Sequence, residues 1–148
     1  SPKGLDSLRV LADDRIVWLS LSGSGNETAA HLKYHDRITL MFCAFEGSAL
    51  TLRVYGHGRV VHPGDVDWAE LYNLFDPMGG ARQVIDVKID LVKTSCGSGV
   101  PVMEFSHQRG TTELEPFYAE LNDEQLKDFW TRKNLVSIDG KQTGIFGA

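Results

Sequence analysis

Cysteine is scarce in this chain, with two in 148 residues, Cys43 and Cys96. Their distance and unlike settings exclude a disulfide framework and a metal-ligand pattern. Cys43, inside "ITLMFCAF", reads as a small buried hydrophobe, and Cys96, in the glycine-flanked "TSCGSG", as an exposed thiol. A reducing compartment is expected. Positive charge is also short, 15 Lys and Arg against 20 Asp and Glu. These cations are scattered and form no stripe, which argues against nucleic acid as a partner. Long apolar runs are missing, and the start "SPKGLDSLRV" lacks the basic and apolar blocks of a signal peptide. The expectation is a cytoplasmic protein with no membrane partner. There is no Walker loop, no repeat and no low-complexity tract.

What the sequence does contain is a 42% hydrophobic content spread through short elements, enough for one domain spanning 1–148. Leu8–Leu11 and Ile16–Leu21 flank Asp13-Asp14 as a hairpin. A helix is expected from about Asn26 to Tyr34, then "RITLMFCAF" as a strand buried on both faces. Leu50–Val61 alternates, with Leu52, Val54, Gly56, Gly58 and Val60 opposite Arg53, Tyr55, His57 and Arg59. Helical spacing follows over Asp65–Phe75. A further alternation over Arg82–Lys93 sets Ile85, Val87, Ile89 and Leu91 against a wet Asp86, Lys88 and Asp90. "VPVMEF" is read as a short strand and Asp123–Lys133 as a late helix entered through Asn122 or Asp123. Five or six strands, mostly joined by hairpins, with helices early and late, predict a mainly β barrel, closed or half closed, with peripheral helices. Strict β–α alternation, and with it a dinucleotide fold, is absent.

Few motifs carry chemistry on their own. "SGSGNETAAH" at 22–31 follows a strand and opens a helix, and Ser24-Gly25-Asn26-Glu27 fits a capping box. The freed N–H groups of such a turn favour an anion. His31 and His35 lie four apart on that helix without the glutamate of a zinc protease, so no metal is assigned. Gly23-Ser24-Gly25 is too short for a nucleophile elbow. Arg53 and Arg59 on the wet strand face, with Lys3, would suit a phosphate. Trp18, Trp68 and Trp130 read as core or interface anchors.

The order of "SPKG", "VWLSLSGSGNETAAHL", "RITLMFCAFEG", "LRVYGHGRVV", "SCGSGVP" and "NLVSIDG" resembles the pyridoxamine 5'-phosphate oxidase-related family of FMN-binding split barrels, over nearly the whole chain. The resemblance implies a six-stranded antiparallel split β-barrel and a homodimer with FMN at the subunit interface. The implied activity is FMN-dependent oxidoreduction of a small-molecule redox substrate. The alternative is a non-catalytic split-barrel binding protein for flavin, deazaflavin or haem. Lys3 resembles the family's lysine that reaches the flavin or its phosphate, and Ser22 its hydroxyl contact. Asn26, Glu27 and Thr28 stand where the oxidases proper have Ser-Arg-Lys. An acid and a hydroxyl thus replace two cations, and phosphate is expected to depend on Asn26, Thr28, backbone N–H groups and Lys3. Arg53 lies on the strand that faces the flavin in the family, and Cys96 and Gly97 on a loop near its ring. No catalytic acid or base is implied. "NLVSIDGKQTGIFGA" lacks the Arg-rich substrate contacts of true pyridoxamine phosphate oxidases, so vitamin B6 oxidation is not expected. Relatives carry a helix and a strand ahead of "SPKG", and a chain lacking them is expected to expose a sheet edge.

Overall fold

The computed structural model describes residues 3 to 147; Ser1, Pro2 and Ala148 of the expected domain lie outside them. After a 3-10 turn at Leu5–Ser7, β1 (Leu8–Ala12) and β2 (Arg15–Leu21) form the predicted hairpin around Asp13 and Asp14. α1 (Glu27–Tyr34) leads to β3 (Arg37–Cys43), β4 (Leu50–Val61), α2 (Trp68–Tyr72) and β5 (Ala81–Cys96). A π-helical turn at Gly110–Leu114 runs into α3 (Glu115–Ala119), and α4 (Asp123–Lys133) follows. Among the described residues the five strands make one antiparallel sheet, ordered β1-β2-β5-β4-β3.

β5 is the axis of the fold. Its first half pairs with β2 on one side and β4 on the other, and Arg82 to Val87 are all buried. The alternation predicted here fails for that reason: a strand covered on both faces buries Asp86 along with Ile85 and Val87. Beyond Lys88, β2 has ended and β5 pairs with β4 alone. Leu91 and Val92 are then exposed, as are Met41, Phe42 and Leu50 beside them. "RITLMFCAF" is accordingly corrected from a doubly buried strand to a largely exposed edge strand, with Cys43 only half buried. "VPVMEF" forms no strand, and only Trp68–Tyr72 of the expected Asp65–Phe75 helix is α-helical.

Two apolar clusters sandwich the sheet. Val17, Leu19, Val61 and Val84 pack against Leu71 and Phe75. Full burial of side chains this size contributes about 1.5–3 kcal/mol each, which holds an α2 too short to persist alone. On the other face Trp18, Ile85 and Val87 meet Leu32 of α1 and Ile38, Leu40 and Val60. Gly56 marks the bend of β4: the register shifts between Tyr55 and Gly56, and a Cβ there would lie 2.0 Å from the Lys88 carbonyl oxygen. No helix among the described residues is long and apolar enough to cross a membrane.

Candidate functional site

The turn ahead of α1 is held from three sides. Ser22 is buried, and both its N–H (2.8 Å) and its hydroxyl (2.7 Å) donate to the Gly80 carbonyl. Gly80 sits at φ +74 with Tyr118 against it, so the strap 110–119 closes over this point. From α4, the Trp130 indole donates to Ser22 Oγ at 2.7 Å, and Asn134 Nδ2 to the Gly23 carbonyl at 2.8 Å. From β5, Arg82 Nη1 donates to the Gly25 carbonyl at 2.8 Å. With its carbonyls drawn inward, the turn leaves the N–H groups of Gly23 to Ala29 without partners among the described residues.

The expected capping box does not form. Asn26 is the N-cap residue but makes no capping bond; its carboxamide pairs with that of Gln83, at 3.1 Å and 2.7 Å. Both side chains are buried, and a matched amide pair satisfies them better than a solvent-facing cap would. Glu27 turns away from Ser24 and accepts the Ile138 N–H with its two oxygens, at 3.2 Å and 3.0 Å. The capping box that does form is Asn122 with Gln125, at the start of α4.

Lys3 lies near this turn, its ammonium 5.2 Å from the Trp18 ring centroid. Partial desolvation over that ring and the Arg82 charge push the Lys3 pKa down, although much of the side chain still meets water. Lys3, Leu19, Leu21, Ser22, Met78 and Phe117 help to line a cavity of about 710 Å³. Thr28 is half buried in the first turn of α1.

The other predicted residues lie at the far end of β5. Arg53 Nη1 donates to Ser95 Oγ at 2.8 Å, beside the exposed Cys96 and the buried Gly97. A Cβ on Gly97 would come within 2.5 Å of the Leu50 backbone nitrogen, so only glycine lets β4 and the loop approach so closely. Ser22, Asn26, Glu27, Thr28 and Lys3 therefore gather near Ala81, while Arg53, Cys96 and Gly97 gather near Ser95. Along a strand rising about 3.3 Å per residue these groups lie tens of ångströms apart. Arg59 joins neither group, because it binds Asp67 (2.7 Å) and Asp86 (2.9 Å), so the cationic pocket expected of Lys3, Arg53 and Arg59 is not assembled.

Arg82, Gln83, His62 and Asn134 were not singled out from sequence, and Trp130 was read only as a core or interface anchor. Arg82 is 6% exposed and Gln83 1%. An Arg-Gln pair opening a strand that is otherwise apolar on both faces was the available signal. Burial dominates at two of these residues: it lowers the His62 pKa, and it lowers that of Arg82 to about 10.

No family model matches the chain. Among curated proteins it is similar to the pyridoxamine 5'-phosphate oxidase family protein ustO of Aspergillus flavus, 31% identical over 155 aligned residues. That similarity takes in 95% of this chain and 62% of the relative, so the chain spans a little under two thirds of the relative's length. Two crystal structures of tagged HupZ from Group A Streptococcus are also similar, each at 17% identity. A variant of HupZ matches over 60% of this chain and 73% of its own, with a TM-score of 0.49. The other matches over 58% and 66%, with a TM-score of 0.47.

Proposed function

We propose, from its similarity over 95% of its length to a pyridoxamine 5'-phosphate oxidase family protein, that the chain belongs to that family and is an FMN-dependent oxidoreductase acting as a homodimer. The five-stranded sheet is read as the larger part of a six-stranded split barrel, one domain over 1–148, with flavin held between subunits. The two free cysteines agree with a cytoplasmic setting. Pyridoxamine phosphate itself is not the proposed substrate, which is a small redox-active molecule of another kind.

One observation carries this reading: the candidate residues are divided between the two ends of β5, and exposed apolar residues occupy its unshared half. A two-fold axis that covers Met41 and Leu91, which share a face of the sheet, unites one end of each protomer in a single site. The residues near the turn fit a phosphorylated ligand. Trp18 Nε1 and Arg82 Nε are buried donors without acceptors, and no carboxylate among the described residues forms an ion pair with Lys3 or Arg82.

In this reading Lys3, Thr28 and the free N–H groups hold the phosphate end. Asn26 acts through Gln83 to fix the turn on the sheet, and Ser22 fixes it on Gly80. Arg53, Cys96 and Gly97 of the other protomer border the ring. Bound FMN supplies the hydride chemistry, and the chain supplies binding and orientation.

The test is a visible spectrum of the purified protein, an FMN titration and sedimentation. A yellow dimer that takes up FMN stoichiometrically supports the proposal. A colourless monomer that refuses FMN overturns it. Replacing Lys3 and Thr28 together by alanine is expected to release flavin, and full retention counts against their assignment. A second reading, a non-catalytic carrier of flavin, deazaflavin or haem, draws support from Glu27, an acid in the first turn of α1. A nicotinamide donor separates the two: an enzyme bleaches its flavin and reoxidises in air, and a carrier does neither.

A further inference from the structure

Glu27 and His31 stand four residues apart on α1, so both project from one face of the helix. Asp139 reaches them from far along the chain. It sits at the tip of a small hairpin in which Val136 bridges Gln142 and Gly140 takes the turn at φ +79. The base of that hairpin is fixed: the Ser137 N–H donates to the Lys141 carbonyl at 2.8 Å, and the buried Thr143 hydroxyl to the Asn134 carbonyl at 2.6 Å. Its tip is fixed on α1, because Glu27 accepts the Ile138 N–H. One ligand atom from each of Glu27, His31 and Asp139 then lies within 4.8 Å of the other two, and His35 is not among them.

This cluster is short of positive charge. Asp139 receives the Lys141 ammonium and the Ser137 hydroxyl, but no cation among the described residues pairs with Glu27. A single backbone N–H leaves most of the Glu27 lone pairs free. Two carboxylates held this close repel, and one divalent ion between them removes that cost. Three atoms no more than 4.8 Å apart surround a centre within about 2.8 Å of each, so metal bonds of about 2.0–2.2 Å need side-chain shifts under about 1 Å. An imidazole with two carboxylates suits zinc and its first-row neighbours, whereas magnesium and calcium take oxygen ligands alone. His31 and Asp139 are exposed, so water completes the coordination.

We propose that Glu27, His31 and Asp139 form a site for a divalent ion of the zinc class, which ties the hairpin around Asp139 to the first turns of α1. The role is structural, and Lys141 competes with the metal for Asp139. Glu27 thus serves a metal at a position where the sequence resemblance implies a cofactor contact. The site stands whether or not the chain binds flavin.

The experiment strips the untagged whole chain with a chelator and titrates it with Zn2+ by calorimetry, with Mg2+ as competitor. Wild type is compared with H31A, D139N and K141Q, and melting temperature is followed with and without Zn2+. Wild type is expected to take one Zn2+ per chain and to melt higher with it. H31A and D139N should each weaken Zn2+ by about 10-fold or more. K141Q should bind roughly 2- to 5-fold tighter, because a competing exposed ion pair is gone. Wild type that takes no Zn2+ at millimolar concentration overturns the proposal, as does H31A or D139N binding as tightly as wild type. Displacement of Zn2+ by equal Mg2+ also overturns it, since an imidazole ligand forbids that outcome. Should D139N fail to fold, H31A and K141Q decide: loss in the first with gain in the second supports the site, and any other pair of results ends it.

Discussion

His57 is clipped between two carboxylates, with Nδ1 3.0 Å from Asp36 and Nε2 3.0 Å from Asp90. The hydrogen bond to Asp36, then the charges of Asp36 and Asp90, raise its pKa above the ordinary value of 6.5. Folding therefore favours the protonated ring. The resulting stabilisation is fully present below about 6.5 and is lost as pH rises through the higher folded value. Melting temperature is expected to fall between roughly pH 6 and 8 in wild type and to change less in H57Q over that window. Asp86 works in the opposite sense. Burial alone would raise its pKa, but hydrogen bonds from Arg15 and Arg59, with their charges, hold it below 3.8. Its contribution is present at neutral pH and lost as pH falls through that depressed value. D86N leaves two guanidiniums facing each other, and urea unfolding should show a loss of about 2–3 kcal/mol, less than for a fully buried pair because both arginines reach water.

At the scale of elements, the close approach at Gly56 sets how sharply β4 can bend against β5. Alanine there forces its Cβ into the Lys88 carbonyl, and G56A is expected to lose about 3 kcal/mol or more by chemical denaturation, or to fail to fold. The elements themselves were largely legible in the sequence where hydrophobic period and turn residues agree. Asp13-Asp14 marks the hairpin, and Asn122 with Gln125 marks α4. What period cannot show is which strand lies in the middle. Ile38 to Phe42 is the more continuous apolar run and yet lies on an edge, whereas Ile85 to Val87, interrupted by Asp86, lies at the centre, because non-local pairing decides it. The site was legible in part for the same reason. The turn at 22–28 announces itself through glycine and capping residues, whereas Arg82 and Gln83 join it only because β5 runs beside β2.

For the whole molecule, Met41 (59% exposed) and Leu91 (56%) open on one face of the unshared half of the sheet, and Val92 (49%), the next residue along β5, on the other. Exposed apolar side chains grouped on one face are what the proposed dimer would cover. Under the proposed function, L91E is expected to shift the sedimenting species from dimer to monomer and, with it, to abolish flavin retention while the far-ultraviolet dichroism stays that of the native sheet. A mutant that remains dimeric, or a monomer that keeps its flavin, would separate the interface from the site.

The turn ahead of α1 is closed by groups far along the chain: Trp130 on Ser22, Asn134 on Gly23, and the Ile138 N–H on Glu27. These partners lie 108 to 111 residues downstream. On a ribosome adding roughly 5–20 residues per second, the turn exists for about 5–20 seconds before the last of them has been made. Strands β1 to β5 are all synthesised before Trp130, so the clasp can close only after every strand of the sheet has been made. Until that segment is made, the turn has, among the described residues, only its bonds to Gly80, Arg82 and Gln83.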